Sequence, residues 1–348
     1  MGNLANRRIA LIGGAGFIGH NLALKLNEEG AEVFVIDGMT VNNYYHLRSV
    51  EGQDTNAPLY LEIIQQRLDL LGRNGIPVVV TDARNYDGLS RVLTKVNPDT
   101  LIHLAAVSHA GKSNKDPYST FDHSLRTLEN ALDNTRSGSL AVRHFVYFSS
   151  SMVYGNFSAE SVTEESVCEP LGIYGALKFS GEKMVIAYNQ VFGLPYTIVR
   201  PSALYGPRCV SRRVGQVFIE NVMSGRQVTV CGDGADRLDF TYIDDLTAGI
   251  VNVLENDNAK NQTFNLTYGR SRSISDIVEI MTGYFPQIEV KYLPKDKLTP
   301  RRGTLSIDKA GKLIGYDPQY PLEAGFAKYI EWYNGLFENQ ESLQLGRV

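Results

Sequence analysis

The sequence predicts an α/β protein: a doubly wound parallel sheet with a smaller α+β region toward its C-terminal end. Three observations predict it. Short β-branched runs alternate with longer amphipathic runs through roughly the first 200 residues. Those short runs are apolar without a break, which suits strands covered on both faces. A glycine-rich turn joins the first apolar run to the first amphipathic one.

The elements follow in order. "RIALIGG" reads as a strand and residues 17–29 as a helix; "EVFVID" is the second strand. Residues 56–72 read as a helix and, lying before the next strand, as an insertion. "IPVVVTD" is a strand, "YDGLSRVLTKV" a helix and "DTLIHLAA" a strand. Residues 117–136 read as one helix, "HFVYFSS" as a strand, residues 173–192 as a helix and "YTIVRPS" as a strand. Past residue 200 the pattern turns irregular, with Pro207, Pro286, Pro294, Pro300, Pro318 and Pro321. The stretch "RLDFTYIDDLTAGIVNVLEN" again reads strand then helix. A chain of 348 residues fits a large domain and a smaller one. The expected division is a cofactor domain at 1–200, with a return segment near 236–256, and a substrate domain at 201–348.

Composition excludes several classes. A net charge of −4 argues against nucleic-acid binding through bulk positive charge. No apolar run reaches membrane-spanning length. The basic-then-apolar start resembles a signal peptide, but four glycines break its apolar run, so it is not read as one. Cys168, Cys209 and Cys231 lie far apart, are odd in number and lack metal-ligand spacing, which points to a reducing, cytoplasmic setting. Asp244-Asp245 reads as a helix cap rather than a metal site, and no metal is expected.

Residues 13–19 read Gly-Gly-Ala-Gly-Phe-Ile-Gly. Gly14, Gly16 and Gly19 satisfy G-x-G-x-x-G, while Gly13, Gly16 and Gly19 satisfy G-x-x-G-x-x-G. One glycine makes the tight turn, one lets backbone approach a pyrophosphate, and one lets helix and strand pack closely. The helix start then offers free N–H groups to the diphosphate. Asp37 ends the second strand, and a carboxylate there bonds a ribose diol and repels a 2′-phosphate, favouring NAD. The sheet is therefore expected to be Rossmann-type.

Tyr174 and Lys178 form the chain's only Tyr-x-x-x-Lys, although it holds 19 tyrosines. On a helix the two share a face. An ammonium beside a phenol stabilises phenolate and lowers its pKa, so the tyrosine can take a proton from a sugar hydroxyl. Ser149, Ser150 and Ser151 close the "HFVYFSS" strand, at the end where open α/β sheets bind ligands.

Together with "HLAAVSH", "SSSMVYG", "RPSALYGPR", "GDGADRLDFTYIDDL" and "PRRGTLSIDKAGKLIGY", these motifs resemble the extended short-chain dehydrogenase/reductases, the nucleotide-sugar epimerase and dehydratase family. The resemblance spans almost the whole chain. It implies cofactor contacts at Gly13, Gly16, Phe17, Ile18, Gly19, Asp37, Asp82, Ala83, Leu104, Ala105 and Ala106, with Lys178 on the nicotinamide ribose. It places the catalytic hydroxyl on Ser150, beside Tyr174 and Lys178. Family dehydratases carry an acidic pair directly after that hydroxyl, and decarboxylases a glutamate at the second place; here these are Ser151 and Met152. Met152 cannot move a catalytic proton. The reading is therefore an NAD-dependent nucleotide-sugar 4-epimerase, most like those acting on UDP-sugars. Its rivals are a dehydratase, decarboxylase or keto-sugar reductase on the same scaffold, and a non-catalytic dinucleotide sensor.

Several family positions differ. Leu238 stands where an arginine is usual, with Arg237 before it; Ala203 replaces an asparagine or threonine, His123 an asparagine and Ser108 a lysine. Arg208, Arg301 and Arg302 are the leading candidates for the substrate diphosphate, with Arg212 and Arg213 behind them. His103 and His109 flank the cofactor strand and are expected to be structural. The family also implies a homodimer through helices near 117–136 and 173–192.

Overall fold

The computed structural model describes residues 4–51, 56–107, 110–136, 140–295 and 300–345. Ser108 and His109 lie outside the described residues. Among the described residues seven strands form one parallel sheet: β1 (Arg8–Ile12), β2 (Glu32–Asp37), β3 (Val78–Val80), β4 (Thr100–His103), β5 (His144–Phe148), β6 (Tyr196–Arg200) and β7 (Gln262–Asn265). Their spatial order is β7-β6-β5-β4-β1-β2-β3. In register, Ile9 lies opposite Val33 of β2 and Thr100 of β4. The chain winds outward from β1 in both directions, so a crevice opens at the carboxyl ends of β1 and β4.

The unbroken apolar runs have a physical reason. Strand side chains alternate faces, and both faces are covered here. Ile9, Leu11, Val33 and Val35 join one core, while Ala10, Ile12 and Ile36 join the other. The first core is roofed by α1 (Phe17–Glu28), α2 (Ala57–Arg73) and residues of the C-terminal half. The second is roofed by α3 (Tyr86–Val96), α4 (Thr127–Arg136) and α5 (Gly172–Phe192).

Three expectations need correction. The helix expected over 117–136 is interrupted: a π-helical turn, Asp122–Arg126, separates Pro117–Phe121 from α4. Such turns insert a residue into the helical repeat and re-aim side chains, and His123 at this one lines the cofactor crevice. The strand expected at the start of 236–256 does not join the sheet. Arg237–Leu238 pairs antiparallel with Arg272–Ser273, and Thr241–Tyr242 pairs parallel with Leu204–Tyr205. Asp239 between them is buried and accepts from Leu305 N and Thr267 Oγ1 at 3.0 and 3.1 Å, which tethers this stretch away from the sheet. The return is made by α6 (Ile243–Glu255), which lies against α1, and then by β7 beside β6. Asp245 does not cap that helix; its carboxylate accepts from the backbone N–H groups of Gln319 and Tyr320 at 2.7 and 3.1 Å.

Candidate active site

Two adjoining cavities open at the carboxyl edge of the sheet. The first is built on the glycine turn. Gly13 has φ +81°, and a Cβ there would lie 2.7 Å from Ala105 N. A Cβ at Gly19 would lie 2.5 Å from Gly14 Cα, so this glycine lets α1 close onto the turn. Gly16 differs: its Cβ would meet Gly13 O at 3.2 Å and nothing else within 4 Å. Gly16 also sits at the N-cap of α1 with no side-chain cap, leaving first-turn N–H groups aimed at the crevice. All eleven expected cofactor residues outside the Tyr174–Lys178 helix line this cavity, from Gly13 to Ala106.

Asp37 accepts from Ala15 N at 3.0 Å and Met39 N at 2.7 Å. A carboxylate has about four lone-pair sites, so capacity for a ribose diol remains. Burial pushes its pKa up, while the two backbone bonds and the Arg67 charge pull it down. Asp82 is held by Arg84 at 2.7 Å, which keeps its pKa low. The cradle fits NAD: free helix N–H groups for the pyrophosphate and a carboxylate for the ribose.

Arg67 was missed by sequence reading. It is 1% exposed, donates from Nε to Arg208 O at 3.0 Å and from Nη1 to Ala15 O at 3.4 Å, and lines the cofactor cavity. Burial lowers its pKa to about 10. A signal existed: the buried stripe of α2 runs Tyr60, Ile63, Ile64, Arg67, Leu71, with one arginine in an apolar series.

The second cavity holds Ser150, Met152, Tyr174 and Lys178. Ser150 ends the extended chain after β5, and its Oγ accepts from Met152 N at 3.2 Å. Its hydroxyl lies near enough to the Tyr174 phenol to pull that phenol's pKa down. Ser149 points elsewhere and donates to Glu182 Oε1 at 2.5 Å. Glu182 is clasped by Arg200 through two bonds of 2.9 and 2.7 Å, and both are buried. Arg200 also donates to Tyr154 Oη at 3.0 Å, and Tyr154 donates to Asn265 at 2.7 Å. This network ties β5, β6, β7 and α5 together beneath the serine. Tyr174, Lys178 and Glu182 recur every four residues and share one face of α5.

The lysine does not behave as expected. Lys178 Nζ donates to Phe148 O at 2.6 Å, and burial lowers its pKa to about 8 against the pull of Glu182. Burial raises the Tyr174 pKa, and what pulls it back is the charge of Arg213, the nearby Ser150 hydroxyl and the charge of Arg302. The cations at the phenol are thus arginines from distant segments.

The arginine candidates separate. Arg302 lines the catalytic cavity, and so do Arg212 and Arg213. Arg208 does not serve there: it turns to α1, donating to His20 Nε2 at 3.0 Å and Asn21 Oδ1 at 3.1 Å. Arg301 donates to Phe157 O at 2.6 Å and lines an outer cleft with Lys295 and Arg237. Arg302 lines that outer cleft too, but of the two only Arg302 also lines the catalytic cavity. Ala203 lines the cavity in a left-handed conformation, φ +36°, and Leu238 lines it too. No lining residue of this cavity among the described residues is a carboxylate.

The arrangement defines a dinucleotide-binding fold with a Ser-Tyr-Lys site at its switch point. Residues 9–267 match the model of the NAD dependent epimerase/dehydratase family, and the chain belongs to that family. It is similar to a probable UDP-glucuronate 4-epimerase of Rhizobium meliloti, with 28% identity over 94% of this chain and 97% of the relative. The UDP-glucuronic acid 4-epimerase of Bacillus cereus, solved with UDP-glucuronic acid and NAD, superposes with a TM-score of 0.80 at 27% identity, covering 94% of this chain and 99% of that one. The UDP-glucose 4-epimerase of Thermotoga maritima, solved with UDP-glucose, gives 0.80 at 25% identity over 94% and 99%.

Proposed function

We propose that this chain is an NAD-dependent UDP-sugar 4-epimerase, with Ser150, Tyr174 and Lys178 as its catalytic residues. One observation carries the reading: the cavity pairs a buried Ser150–Tyr174 couple with Met152, and no carboxylate lines it among the described residues. Groups for moving one hydroxyl proton are present, while an acid for expelling water is not. Bound NAD supplies the reversible hydride acceptor at C4 of the sugar. Tyr174, with Ser150 beside it, takes the C4 hydroxyl proton and later returns it. Arg213 and Arg302 favour the phenolate that forms. Lys178, fixed on Phe148 O, orients the cofactor end of α5 and carries a charge toward the nicotinamide ribose. The keto sugar turns about its diphosphate link and presents its other face for re-reduction, so no external reductant is consumed. The outer cleft with Arg237, Lys295 and Arg301 would take the diphosphate arm.

The division at residue 200 is part of this reading: the cofactor cradle comes from 1–200, and Arg213 and Arg302 from 201–348. A homodimer is too. Tyr118, Phe121, Val191 and Phe192, on helices of the two expected segments, are 86%, 45%, 70% and 49% exposed. No helix among the described residues is long and apolar enough to cross a membrane. The three cysteines are free, which suits a reducing, cytoplasmic setting.

The test is a panel of UDP-, dTDP-, GDP- and CDP-sugars incubated without added NADH and followed by NMR. Inversion at C4 of a UDP-sugar is expected. A 4-keto-6-deoxy product would overturn the reading in favour of a dehydratase.

A further inference from the structure

We propose that Arg67 is a positioning residue: it holds the loop 208–213 as a shared roof over both cavities, so that filling the cofactor cavity sets the shape of the catalytic one. The inference goes beyond the epimerase reading and requires only that NAD binds. Val210, Ser211 and Arg213 line the cofactor cavity, while Ser211, Arg212 and Arg213 line the catalytic cavity. One short loop therefore belongs to both.

This loop is not kept in place by its own preferences. Arg208 and Arg212 have φ +64° and +52°, left-handed values that cost energy for a residue with a Cβ. Such backbone persists where its surroundings over-determine it. Both residues are held by side chains. Arg67 donates from Nε and Nη2 to Arg208 O at 3.0 and 2.5 Å. Gln216 Oε1 accepts from Arg212 N at 2.8 Å, and Gln216 Nε2 donates to Glu220 Oε1 at 2.9 Å. Glu220 also accepts from the phenols of Tyr60 and Tyr333, at 2.7 Å each. Tyr60 and Arg67 stand seven residues apart in the buried stripe of α2, so they share a face. The helix inserted between β2 and β3 thus braces both ends of the loop: Arg208 directly, and Arg212 through Glu220 and Gln216.

Arg67 differs from Tyr60 in touching the cofactor side as well. Its Nη1 donates to Ala15 O at 3.4 Å, inside the glycine turn. Its bonded partners among the described residues are backbone carbonyls, with no carboxylate among them. Asp37, the carboxylate whose charge reaches it, is bonded to Ala15 N and Met39 N. A buried guanidinium without a bonded counter-ion is stabilised when an anion enters the cavity it lines. The diphosphate of the cofactor is such an anion. Its entry fixes Arg67 in this pose, and the fork on Arg208 O carries that order along the strained loop to Arg212 and Arg213.

The test is hydrogen exchange of residues 212–217, followed by mass spectrometry with and without saturating NAD, with NAD affinity measured by calorimetry. Within that segment only Arg213 lines the cofactor cavity, so contact with the ligand does not by itself protect the rest. In the unaltered protein NAD should slow exchange there about tenfold. Arg67→Met should bind NAD about tenfold more weakly and, once saturated, show no slowing. Arg67→Lys keeps the charge and loses the fork, so NAD affinity should stay within about threefold while the slowing falls to about twofold. This variant carries the test if Arg67→Met does not fold. Tyr60→Phe removes the brace that lies outside the cofactor cavity. It should speed exchange of 212–217 about fivefold with or without NAD, and leave NAD affinity within about twofold. An NAD-dependent slowing in Arg67→Lys equal to that of the unaltered protein would make the arginine merely structural and overturn the inference. So would the absence of any slowing in the unaltered protein.

Discussion

The cofactor cavity and the catalytic cavity adjoin, yet they are made differently. The first is made mostly of backbone: Gly13, Gly16 and Gly19 shape it, an uncapped helix start charges it, and its motif spans seven residues. The second is made of side chains from segments far apart, with Ser150 after β5, Tyr174 on α5, Arg213 before a later helix and Arg302 near the C-terminal end. The first should therefore fail through sterics when altered, and the second through charge and proton position.

The largest effect belongs to the catalytic cavity. Tyr174→Phe keeps the ring and removes the hydroxyl proposed to carry the proton, so turnover should fall about a thousandfold. NAD affinity, measured by calorimetry, should stay within about twofold, because the glycine cradle is untouched. Loss of NAD binding in that variant would mean that the two cavities are not separable.

Next comes the support beneath the catalytic cavity. Glu182→Gln leaves the buried Arg200 without its counter-charge, with the pair only 2% and 6% exposed. Removing one partner of a buried pair costs about 3 kcal/mol or more. Urea unfolding measures it, and a change below about 1 kcal/mol would show that Arg200 finds another partner.

Within the cofactor cavity the glycines divide. Gly19→Ala puts a methyl 2.5 Å from Gly14 Cα, a backbone atom that cannot swing aside. It should cost about 2 kcal/mol and abolish NAD binding. Gly16→Ala has only Gly13 O at 3.2 Å to meet, so it should cost well under about 1 kcal/mol while still blocking the cofactor. Equal destabilisation by the two would erase the distinction between packing glycine and ligand glycine.

That division also explains what was legible in the sequence. Backbone-made features are local, so Gly13 to Gly19 and Asp37 could be read from spacing alone. Ser150, Tyr174 and Lys178 were readable as a motif, but their contacts were not: Lys178 turns to Phe148 O, and the phenol faces Arg213 and Arg302. Arg208 looked suited to phosphate by its motif, yet its reach ends at His20 and Asn21. Of Arg301 and Arg302 only the second reaches the catalytic cavity, a difference in side-chain direction that one-dimensional spacing does not contain. The sheet order was implied by alternation, but its seventh strand was not, because Gln262–Asn265 is short and lies beyond the expected return helix.

The smallest predicted effect lies in the sheet that carries both cavities. His103 ends β4 fully buried, with neither ring nitrogen partnered among the described residues, and burial holds its pKa down at about 3. His144 starts β5, bonds Thr197 Oγ1 through Nε2 at 2.8 Å, and is held at about 4. An unfolded histidine titrates near 6.5, so between that value and the folded ones the unfolded chain binds more protons. Stability from these neutral histidines is full above about pH 6.5 and is lost as pH falls toward 4 and 3, by about 1 kcal/mol each at pH 5.5. Asp239 runs the other way. Burial raises its pKa to about 7, so the folded state takes up its proton first and gains stability as pH falls. The total pH slope therefore mixes signs, and the informative quantity is a difference. Urea midpoints at pH 7.5 and 5.5, taken for the unaltered protein and for His144→Gln, should converge by about 1 kcal/mol at the lower pH. Parallel pH slopes would show that His144 accepts a proton without strain, and that the shared sheet is more open to water than its apolar strands imply.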